Sequence, residues 1–322
     1  MVSTEKTDGT GNTAKTAKTA EPAEPAEPAE PAGGQHGDLA GLEAGLDALD
    51  TRAADERPPL GRLLLSKLVP PLVAVALVLA VWQLVYAAEI KPDYILPGPL
   101  DVWAAIEKMW LDGVLLGYIW TSVSRGVLGF AIAIAVGTPL GLLVARVKVV
   151  RAAIGPILTG LQSLPSIAWV PAALIWFGFT DATIYTVVLL GAVPSIANGI
   201  VAGVDQIPPL YLRAGRMLGA RGLTSVRHIL LPAALPGYLA GLKQGWAFSW
   251  RSLMAAELIV NSAKLGTGLG QLMDGFRQMQ NMSGVLATII LILLVGIAID
   301  LLFFSPLERR VLRSRGLLAR NN

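Results

Sequence analysis

The sequence predicts an all-α protein that crosses a membrane several times, with six transmembrane helices and one long cytoplasmic loop. Hydrophobic residues make up 53% of the 322 residues and charged residues only 15%, and the mean hydropathy is +0.58. Apolar runs long enough to cross a bilayer alternate with short basic segments, a pattern typical of transmembrane helices. The chain has no cysteine and two histidines, so we expect neither a disulfide framework nor a cofactor or metal site.

Residues 1–56 predict a disordered, low-complexity cytoplasmic tail. They contain few aromatic or branched side chains, and residues 21–32 repeat the motif EPA. Such a composition buries too little apolar surface to offset the chain entropy lost on folding. The first long apolar run begins near Leu63, too far along the chain for a signal peptide.

Residues 57–113 predict the first transmembrane helix and an external connection. The helix is expected at residues 68–88. Three basic residues precede it, Arg57, Arg62 and Lys67. They predict a cytoplasmic amino terminus, because positive charge is retained inside. In the connection, residues 89–110, Trp103 and Trp110 predict a helix lying at the bilayer interface.

Residues 114–306 predict the membrane core. Its five spans are expected at residues 115–145, 152–177, 184–204, 233–259 and 285–304. In the second span of the chain, Ala133, Gly137 and Gly141 follow one another at intervals of four. Small residues at this spacing let two helix backbones approach closely. We therefore expect a packing face here, although a chance pair of glycines in a glycine-rich chain is the alternative.

The third span is unusual because it contains three prolines, Pro156, Pro165 and Pro171. Proline leaves backbone carbonyls that must be satisfied by neighbouring helices, side chains or water. The sequence therefore predicts a helix that is broken three times and lines a cavity rather than facing lipid.

The distribution of basic residues tests this topology. The predicted cytoplasmic segments contain about fifteen lysines and arginines, including the basic tail at residues 307–322. The predicted external connections contain four, Lys91, Lys108, Lys264 and Arg277. Six spans with both termini in the cytoplasm fit this bias.

Residues 209–232 predict a cytoplasmic docking loop, which includes the basic sequence RAGRMLGARGLTSVRHILLP. Residues 211–218 and 223–228 can each form a short amphipathic helix. Gly219 and Gly222 supply the backbone freedom for a turn between them, and a new helix is expected to begin at the following proline.

This loop resembles the EAA loop of ABC-importer permeases, whose pattern is Glu-Ala-Ala, three residues, Gly, nine residues and Ile-x-Leu-Pro. The matching residues are Ala214, Gly219, Ile229, Leu231 and Pro232, and the differing ones are Arg213 and Gly215. The sequences LPSIAWVPAALIWFGF at 164–179 and AFSWRSLMAAELI at 247–259 resemble type I permeases for sulfonates, taurine, nitrate and bicarbonate. The resemblance covers residues 121–304.

The resemblance implies a transport subunit rather than an enzyme. Its implied partners are a second copy of the chain, two cytosolic ABC ATPase subunits, an external substrate-binding protein and the lipid bilayer, with no nucleic acid. The implied substrate is a small anion, an aliphatic sulfonate or taurine, with nitrate, bicarbonate or another small solute as the alternative. The chain has no GxxxxGK[ST] segment, so ATP hydrolysis by the P-loop route requires another chain.

Polar residues within the spans are the candidates for the translocation pathway. They are Arg125, Gln162, Ser163, Ser166, Asn198, Ser249, Arg251 and Glu257. Ionisable groups in a membrane face the bundle interior or an aqueous cavity because lipid exposure is costly. A structural alternative is that Arg125 or Arg251 pairs with Glu257 to hold helices together. Arg251 and Glu257 differ in direction by about 240° on one helix, so Glu257 needs a partner on another helix.

Two further interpretations remain open at this point. Trp246 and Trp250 share a helix face and either flank the pathway or pack between helices. An ion-coupled carrier working without an ATPase would explain the intramembrane charges, but it would not explain the spaced motif of the docking loop. A membrane-bound enzyme is disfavoured, because no reactive cluster is found.

Overall fold

Helices make up most of the described chain, residues 60–261 and 266–314, in this computed structural model. Side chains are described from Val69 onward, apart from Leu223. No strand occurs among these residues, so the predicted all-α class is confirmed. The predicted disordered tail, residues 1–56, and the last eight residues of the basic tail lie outside the described residues.

Twelve helices can be named within that part of the chain. They are α1 (Leu60–Ala87), α2 (Pro99–Leu111), α3 (Leu115–Arg146), α4 (Lys148–Ser163), α5 (Val170–Phe177), α6 (Asp181–Asp205), α7 (Pro209–Met217), α8 (Gly222–Ser225), α9 (Leu231–Ile259), α10 (Leu269–Gln278), α11 (Met282–Ile299) and α12 (Ser305–Ser314). A 3₁₀ turn precedes α5 at Ser166–Trp169, and π-helical turns lie at Val226–Leu230 and Asp300–Phe304.

The chain divides into two units, residues 1–72 and 73–322, with the boundary inside α1. The described part of the first unit, residues 60–72, is the beginning of α1 and contains Pro70 and Pro71. The paragraphs below concern the second unit. Following the predicted topology, we call the end of its helices near Glu257 the outer end and the end near residues 209–232 the inner end.

Four helical segments of the described chain are long and apolar enough to cross a bilayer, and a bent pair makes a fifth. The four are Val69–Ala87, Leu115–Arg146, Asp181–Asp205 and Met282–Ser314. The predicted fifth span corresponds to α9, which has 29 residues and a length of about 43 Å. Charged side chains at Lys243, Arg251 and Glu257 make α9 less apolar than these segments. The total of six spans therefore stays a prediction.

The bent pair, α4 and α5, corresponds to the predicted third span. Their axes differ in direction by 102°, and the break follows Ser163. The prediction of three breaks was wrong. Helix α4 continues through Pro156, and Pro171 lies in the first turn of α5, where proline is tolerated. Only Pro165 coincides with the change of direction.

Glycines bring the three central helices together. A β-carbon added at Gly141 of α3 would lie 2.8 Å from Ala197 Cα of α6. One added at Gly241 of α9 would lie 2.6 Å from Gly199 Cα of α6. The predicted packing face along Gly137 and Gly141 is thus confirmed, and a matching glycine contact joins α6 to α9. Such contacts let buried backbones pack at van der Waals distance.

Two of the predicted external connections contain helices of their own. Helix α2 occupies most of the connection with the predicted interfacial helix, and it exposes Trp103 (65%) and Trp110 (59%). Helix α10 lies within the connection after α9, where no helix was predicted. Polar residues interrupt its sequence, so that it contains no continuous apolar run. In the structure, however, the side chain of Leu269 is completely buried and that of Gln271 is only 6% exposed.

Candidate functional site: docking loop and translocation pathway

The docking loop, residues 209–232, begins with α7 and turns at two glycines. Gly219 has a φ of +81° and Gly222 a φ of +56°, a left-handed backbone that a residue with a β-carbon adopts at a cost. The turn is closed by backbone hydrogen bonds, in which the Ala220 amide donates to the Gly215 carbonyl at 2.9 Å. The predicted helix and glycine turn are therefore present.

The second half of the loop was predicted to form a separate helix at residues 223–228, and the structure differs. Helix α8 covers four residues and continues through the π-helical turn Val226–Leu230 directly into α9. The backbone is helical from Gly222 to Ile259. Pro232 lies in the first turn of α9, where a helix can accept proline even though the chain before it is already helical.

A shallow apolar groove of about 650 Å³ lies between α7 and the start of α9. Gly215 is the point of closest approach, because a β-carbon there would collide with the Ile229 side chain. Met217 and Leu218, on the rim of the loop, are 82% and 88% exposed. Large apolar side chains at this exposure in a basic loop are typical of a surface that another protein covers.

The residues that match the EAA pattern and those that differ from it all lie in this docking loop. Gly215 is buried, Arg213 and Pro232 are exposed, and Ala214, Ile229 and Leu231 are half-buried. Ala214, Gly215, Ile229 and Pro232 line the groove. The motif residues thus shape the loop and its groove, and the side chain of Arg213 points to solvent.

The break between α4 and α5 brings together polar residues from three helices. Asn198 of α6 donates through Nδ2 to Gln162 Oε1 at 2.9 Å, and Gln162 Nε2 donates to Ser195 Oγ at 3.2 Å. Ser252 of α9 donates to Ser166 at 2.7 Å. Ser195 and Ser252 were not among the predicted residues, and no spacing in the sequence distinguishes them from other span serines.

The two remaining serines of the predicted pathway behave differently from one another. Ser163 is exposed and donates to the carbonyl of Gly160 in its own helix. Ser249 is fully buried, and its hydroxyl has no hydrogen-bond partner among the described residues. The helix break therefore gathers Gln162, Ser166 and Asn198, whereas Ser163 and Ser249 lie apart from these contacts.

A buried ionic network lies at the outer end of the bundle. Glu257 is completely buried, and Arg125 of α3 is 5% exposed. Arg125 Nη1 donates to Glu257 Oε1 at 3.1 Å, while Ser122 Oγ donates to Glu257 Oε2 at 2.7 Å. The sequence left open whether Arg125 or Arg251 pairs with Glu257, and in the structure the partner is Arg125. Ser122 lies one turn before Arg125, a spacing that places both on one face of α3.

The same network fixes the connection between α9 and α10. The Gly270 amide donates to Glu257 Oε2 at 3.1 Å, and Arg125 Nη2 donates to the Gly266 carbonyl at 3.1 Å. Asp181 Oδ1 lies 3.3 Å from Arg125 Nε but without hydrogen-bond alignment, so this contact is electrostatic. Buried charges need such partners because desolvation is costly. Arg125 and Glu257 thus satisfy each other, which accounts for the burial of both charges.

Arg251 has a different environment from Arg125. It lies on the exposed face of α9, where its Nε donates to the Ala247 carbonyl at 3.1 Å and its guanidinium carbon lies 4.6 Å from the centre of the Phe248 ring. No contact of its two terminal nitrogens with a carboxylate occurs in the described part of the chain. Arg251 is thus positioned by its own helix and keeps donors available.

Beside Arg251, a groove of about 790 Å³ runs between α9 and α11. Its α11 side is apolar, with Ile289, Leu293 and Ile297. Its α9 side contributes Arg251 and, nearer the inner end, Lys243. The groove therefore combines an apolar wall with Arg251 at one end and, at the other, Lys243 paired with the carboxylates of Asp300 and Glu308.

Trp246 and Trp250 pack within the bundle. Their ring planes are nearly parallel, and the ring centroids are 6.1 Å apart. The ring of Phe130 packs edge to face against Trp246, with the two centroids 5.4 Å apart. Both tryptophans are less than 10% exposed, and Trp250 Nε1 donates to the Ile292 carbonyl at 3.3 Å. Interhelical packing, one of the two interpretations that the sequence allowed, is therefore present, and both side chains also line the groove beside Arg251.

Comparisons with known proteins agree with these features. Residues 137–312 match the family described as the binding-protein-dependent transport system inner membrane component. The chain is 28% identical over 240 residues to a putative aliphatic sulfonates transport permease protein of Bacillus subtilis (strain 168), covering 74% of this chain and 85% of that protein. It is 28% identical over 271 residues to a nitrate import permease protein of Synechocystis sp. (strain ATCC 27184 / PCC 6803 / Kazusa), covering 81% and 94% respectively.

One solved structure supports the fold. The chain superimposes on a chain of the MetNI methionine ABC transporter, in an inward-facing conformation, with a TM-score of 0.52 and 21% identity. The superposition covers 64% of this chain and 98% of that one. The family match extends over more than half of the sequence and contains the docking loop, α9 and the helix break. The chain therefore belongs to the binding-protein-dependent inner membrane components, the permeases of type I ABC importers, and is a multi-pass transport subunit for a small solute.

Proposed function

We propose that this permease moves a small anion, an aliphatic sulfonate or taurine, across the cytoplasmic membrane by alternating access. In this proposal two copies of the chain form the pathway, two cytosolic ATPase subunits drive it, and an external binding protein delivers the substrate. Both termini and the docking loop face the cytoplasm. The observation that carries the proposal is the continuous helix from the docking loop to Arg251.

The docking loop supplies the contact with the ATPase. Its groove and the exposed side chains of Met217 and Leu218 form an apolar surface, surrounded by arginines that include Arg213 and Arg216. Apolar contact provides affinity, and charged residues at the rim orient the partner. Arg213 replaces the glutamate of the family pattern, so the facing group on the ATPase is expected to be acidic or neutral.

The helix from Gly222 to Ile259 supplies the mechanical connection. Because its backbone is helical throughout, displacement of the docking loop moves α9 as a unit, except where the π-helical turn at Val226–Leu230 allows bending. Helix α9 packs along α6 through the glycine contacts and carries Arg251, which lies 19 residues beyond the end of the loop at Pro232. Closure of the ATPase pair would thus switch the exposed face of α9 from access to one side of the membrane to access to the other.

The exposed face of α9 is suited to water or to a second copy rather than to lipid. Ala240, Gln244, Ala247 and Arg251 follow one another at intervals of three or four, and all are exposed. An amide and a guanidinium facing hydrocarbon would be costly. We therefore assign this face to the translocation pathway.

The substrate chemistry follows from the groove beside this face. The terminal nitrogens of Arg251 can form a two-pronged contact with the oxygens of a sulfonate. The apolar α11 wall, which includes Leu293, fits a short carbon chain. Nitrate and bicarbonate lack such a chain, so the wall favours an organic anion over the inorganic ones that relatives of this chain transport.

Arg251→Gln tests the proposal, because it preserves some hydrogen bonding but removes the charge. We expect uptake of an alkanesulfonate such as ethanesulfonate to fall by at least about tenfold, consistent with the loss of one charge-assisted contact, while the ATPase remains bound. Lys108→Gln, which removes an exposed charge on α2, is the matched control and should leave uptake unchanged. Uptake is measured per assembled complex in vesicles.

Three outcomes would contradict the proposal. Normal uptake per complex with less assembled protein would assign Arg251 to architecture. Uptake of nitrate but not of ethanesulfonate would exclude the organic anion. Transport by the purified chain without any ATPase would instead indicate an ion-coupled carrier.

A further inference from the structure

We propose that α12 carries a binding face for anionic lipid headgroups at the surface of the bilayer. The face consists of Arg309, Arg310 and Arg313, all of which are exposed. The inference concerns a lipid partner and does not depend on the transported substrate.

The length of the last helical segment places α12 at the bilayer surface. Residues 282–314 form one helical segment of 33 residues, which extends about 50 Å at the usual rise per residue. The hydrocarbon core of a bilayer is about 30 Å thick. Helix α11 with the π-helical turn after it is long enough to cross this core, so α12 extends beyond it. The final ten residues therefore lie among the lipid headgroups.

The distribution of side chains fits this position. Arg309 and Arg313 are four residues apart and differ in direction by about 40° around the helix, with Arg310 about 100° from Arg309. Just before α12, Leu302 and Phe303 are 71% and 68% exposed. An exposed apolar band followed within two turns by exposed arginines is the arrangement expected where a helix leaves the hydrocarbon core.

The acidic side of α12 faces the bundle and fixes the rotation of the helix. Glu308 Oε2 lies 3.5 Å from Lys243 Nζ of α9, and Asp300 Oδ1 lies 3.4 Å from the same nitrogen. Glu308 is directed towards α9, and at about 100° per residue Arg310 and Arg313 lie about 160° and 140° from it, on the far side of the helix, with Arg309 about 100° from it. Within the described part of the chain, no carboxylate lies within ion-pair distance of the three arginines.

A phosphate group is the chemical complement of this face. Guanidinium groups bind phosphate oxygens by paired hydrogen bonds, and clusters of basic residues next to a transmembrane helix attract anionic lipids. The sequence continues with Arg315 and Arg320, which add charge of the same sign. The three arginines are thus positioned to select phosphatidylglycerol over a zwitterionic lipid.

The full-length chain, purified with an equal mixture of phosphatidylcholine and phosphatidylglycerol, provides the test. The lipids that remain bound after gel filtration are counted by mass spectrometry. We expect the unsubstituted chain to retain phosphatidylglycerol over phosphatidylcholine by on the order of tenfold. The triple variant Arg309→Gln, Arg310→Gln and Arg313→Gln should lose most of this enrichment, and the corresponding Arg→Lys variant should keep most of it.

A matched control separates a specific face from total charge. Lys91→Gln, Lys108→Gln and Lys264→Gln remove three charges from the predicted external connections and should leave the enrichment unchanged. Equal enrichment in the triple glutamine variant and the unsubstituted chain would overturn the proposal, as would an equal loss in the control. Unchanged enrichment together with loss of ATPase binding would show that the arginines contact a protein instead. If the glutamine variant fails to fold, the Arg→Lys variant decides, because the proposal requires it to retain the enrichment.

Discussion

At its outer end, α9 is held by buried charges and backbone hydrogen bonds, whereas at its inner end it continues into an exposed loop. Glu257 accepts hydrogen bonds from Arg125, Ser122 and the Gly270 amide without any exposure to solvent. Gly219, in contrast, has open space where a β-carbon would be. At the outer end the carboxylate of Glu257 is fully hydrogen-bonded within the chain, whereas the inner end leaves an apolar surface uncovered.

We infer from this difference that the outer end of α9 has a structural role and that its inner end has a role in coupling. A buried ionic network resists separation because each group left unpaired would remain desolvated. The exposed turn at Gly219 and Gly222, in contrast, has few buried contacts to break when the loop changes its position. We therefore expect substitutions at the outer end to reduce the amount of folded protein and substitutions at the inner end to change coupling.

Arg125→Met should have the largest effect, because it leaves the carboxylate of Glu257 buried without its cation. Losing one partner of a buried pair costs about 3–5 kcal/mol. We expect a large drop in the amount of protein extracted as a single species and in its thermal unfolding temperature. The exposed Arg251→Met is the control and should be stable.

A double variant makes this prediction more specific. Arg125→Met combined with Glu257→Leu removes both charges, and replacing both members of a buried pair by apolar side chains is often tolerated. The double variant should recover part of the lost stability. If Arg125→Met alone folds as well as the unsubstituted protein, the outer network is not architectural.

Gly241→Ala tests the packing that connects the two ends. The added methyl group would meet the Gly199 backbone at 2.6 Å, and because backbone cannot move aside as a side chain can, we expect a loss of about 1–3 kcal/mol. Gly160→Ala adds the same methyl group in α4 where nothing lies within 4 Å. The control should be neutral or slightly more stable. Thermal unfolding of both variants measures the difference, and equal midpoints would contradict the proposed contact.

Gly219→Val should have the smallest effect on stability and a specific effect on coupling. A β-branched residue at a φ of +81° adds strain of about 1–2 kcal/mol, confined to the docking loop. We expect normal insertion but ATP hydrolysis uncoupled from transport. Gly113→Val places the same side chain at a φ of +71° between α2 and α3, where nothing lies within 4 Å of the added β-carbon, and should leave coupling intact. Wild-type uptake by the Gly219 variant would contradict the assignment of this turn to coupling.

The sequence predicted the helical class, the position of the first, second and fourth spans and the docking loop to within a few residues. Apolar length and basic flanks carry this information locally, because each span satisfies its own backbone hydrogen bonds. The glycines of the loop were also correctly interpreted, since a left-handed turn favours that residue type wherever it occurs. The three breaks predicted for the third span were wrong, because proline interrupts a helix only where the preceding turn cannot keep its hydrogen bonds.

The sequence by itself determined that Glu257 needed a partner on another helix, because the helical angle excluded Arg251. Only the tertiary structure decided that this partner is Arg125, which lies 132 residues earlier in the chain. It also decided that Arg251 is exposed beside a groove, whereas Trp246 and Trp250, which line the same groove, are largely buried. The physical reason is that helical periodicity fixes the relative directions of side chains on one helix, whereas the packing of α3, α6 and α9 determines which direction is the interior.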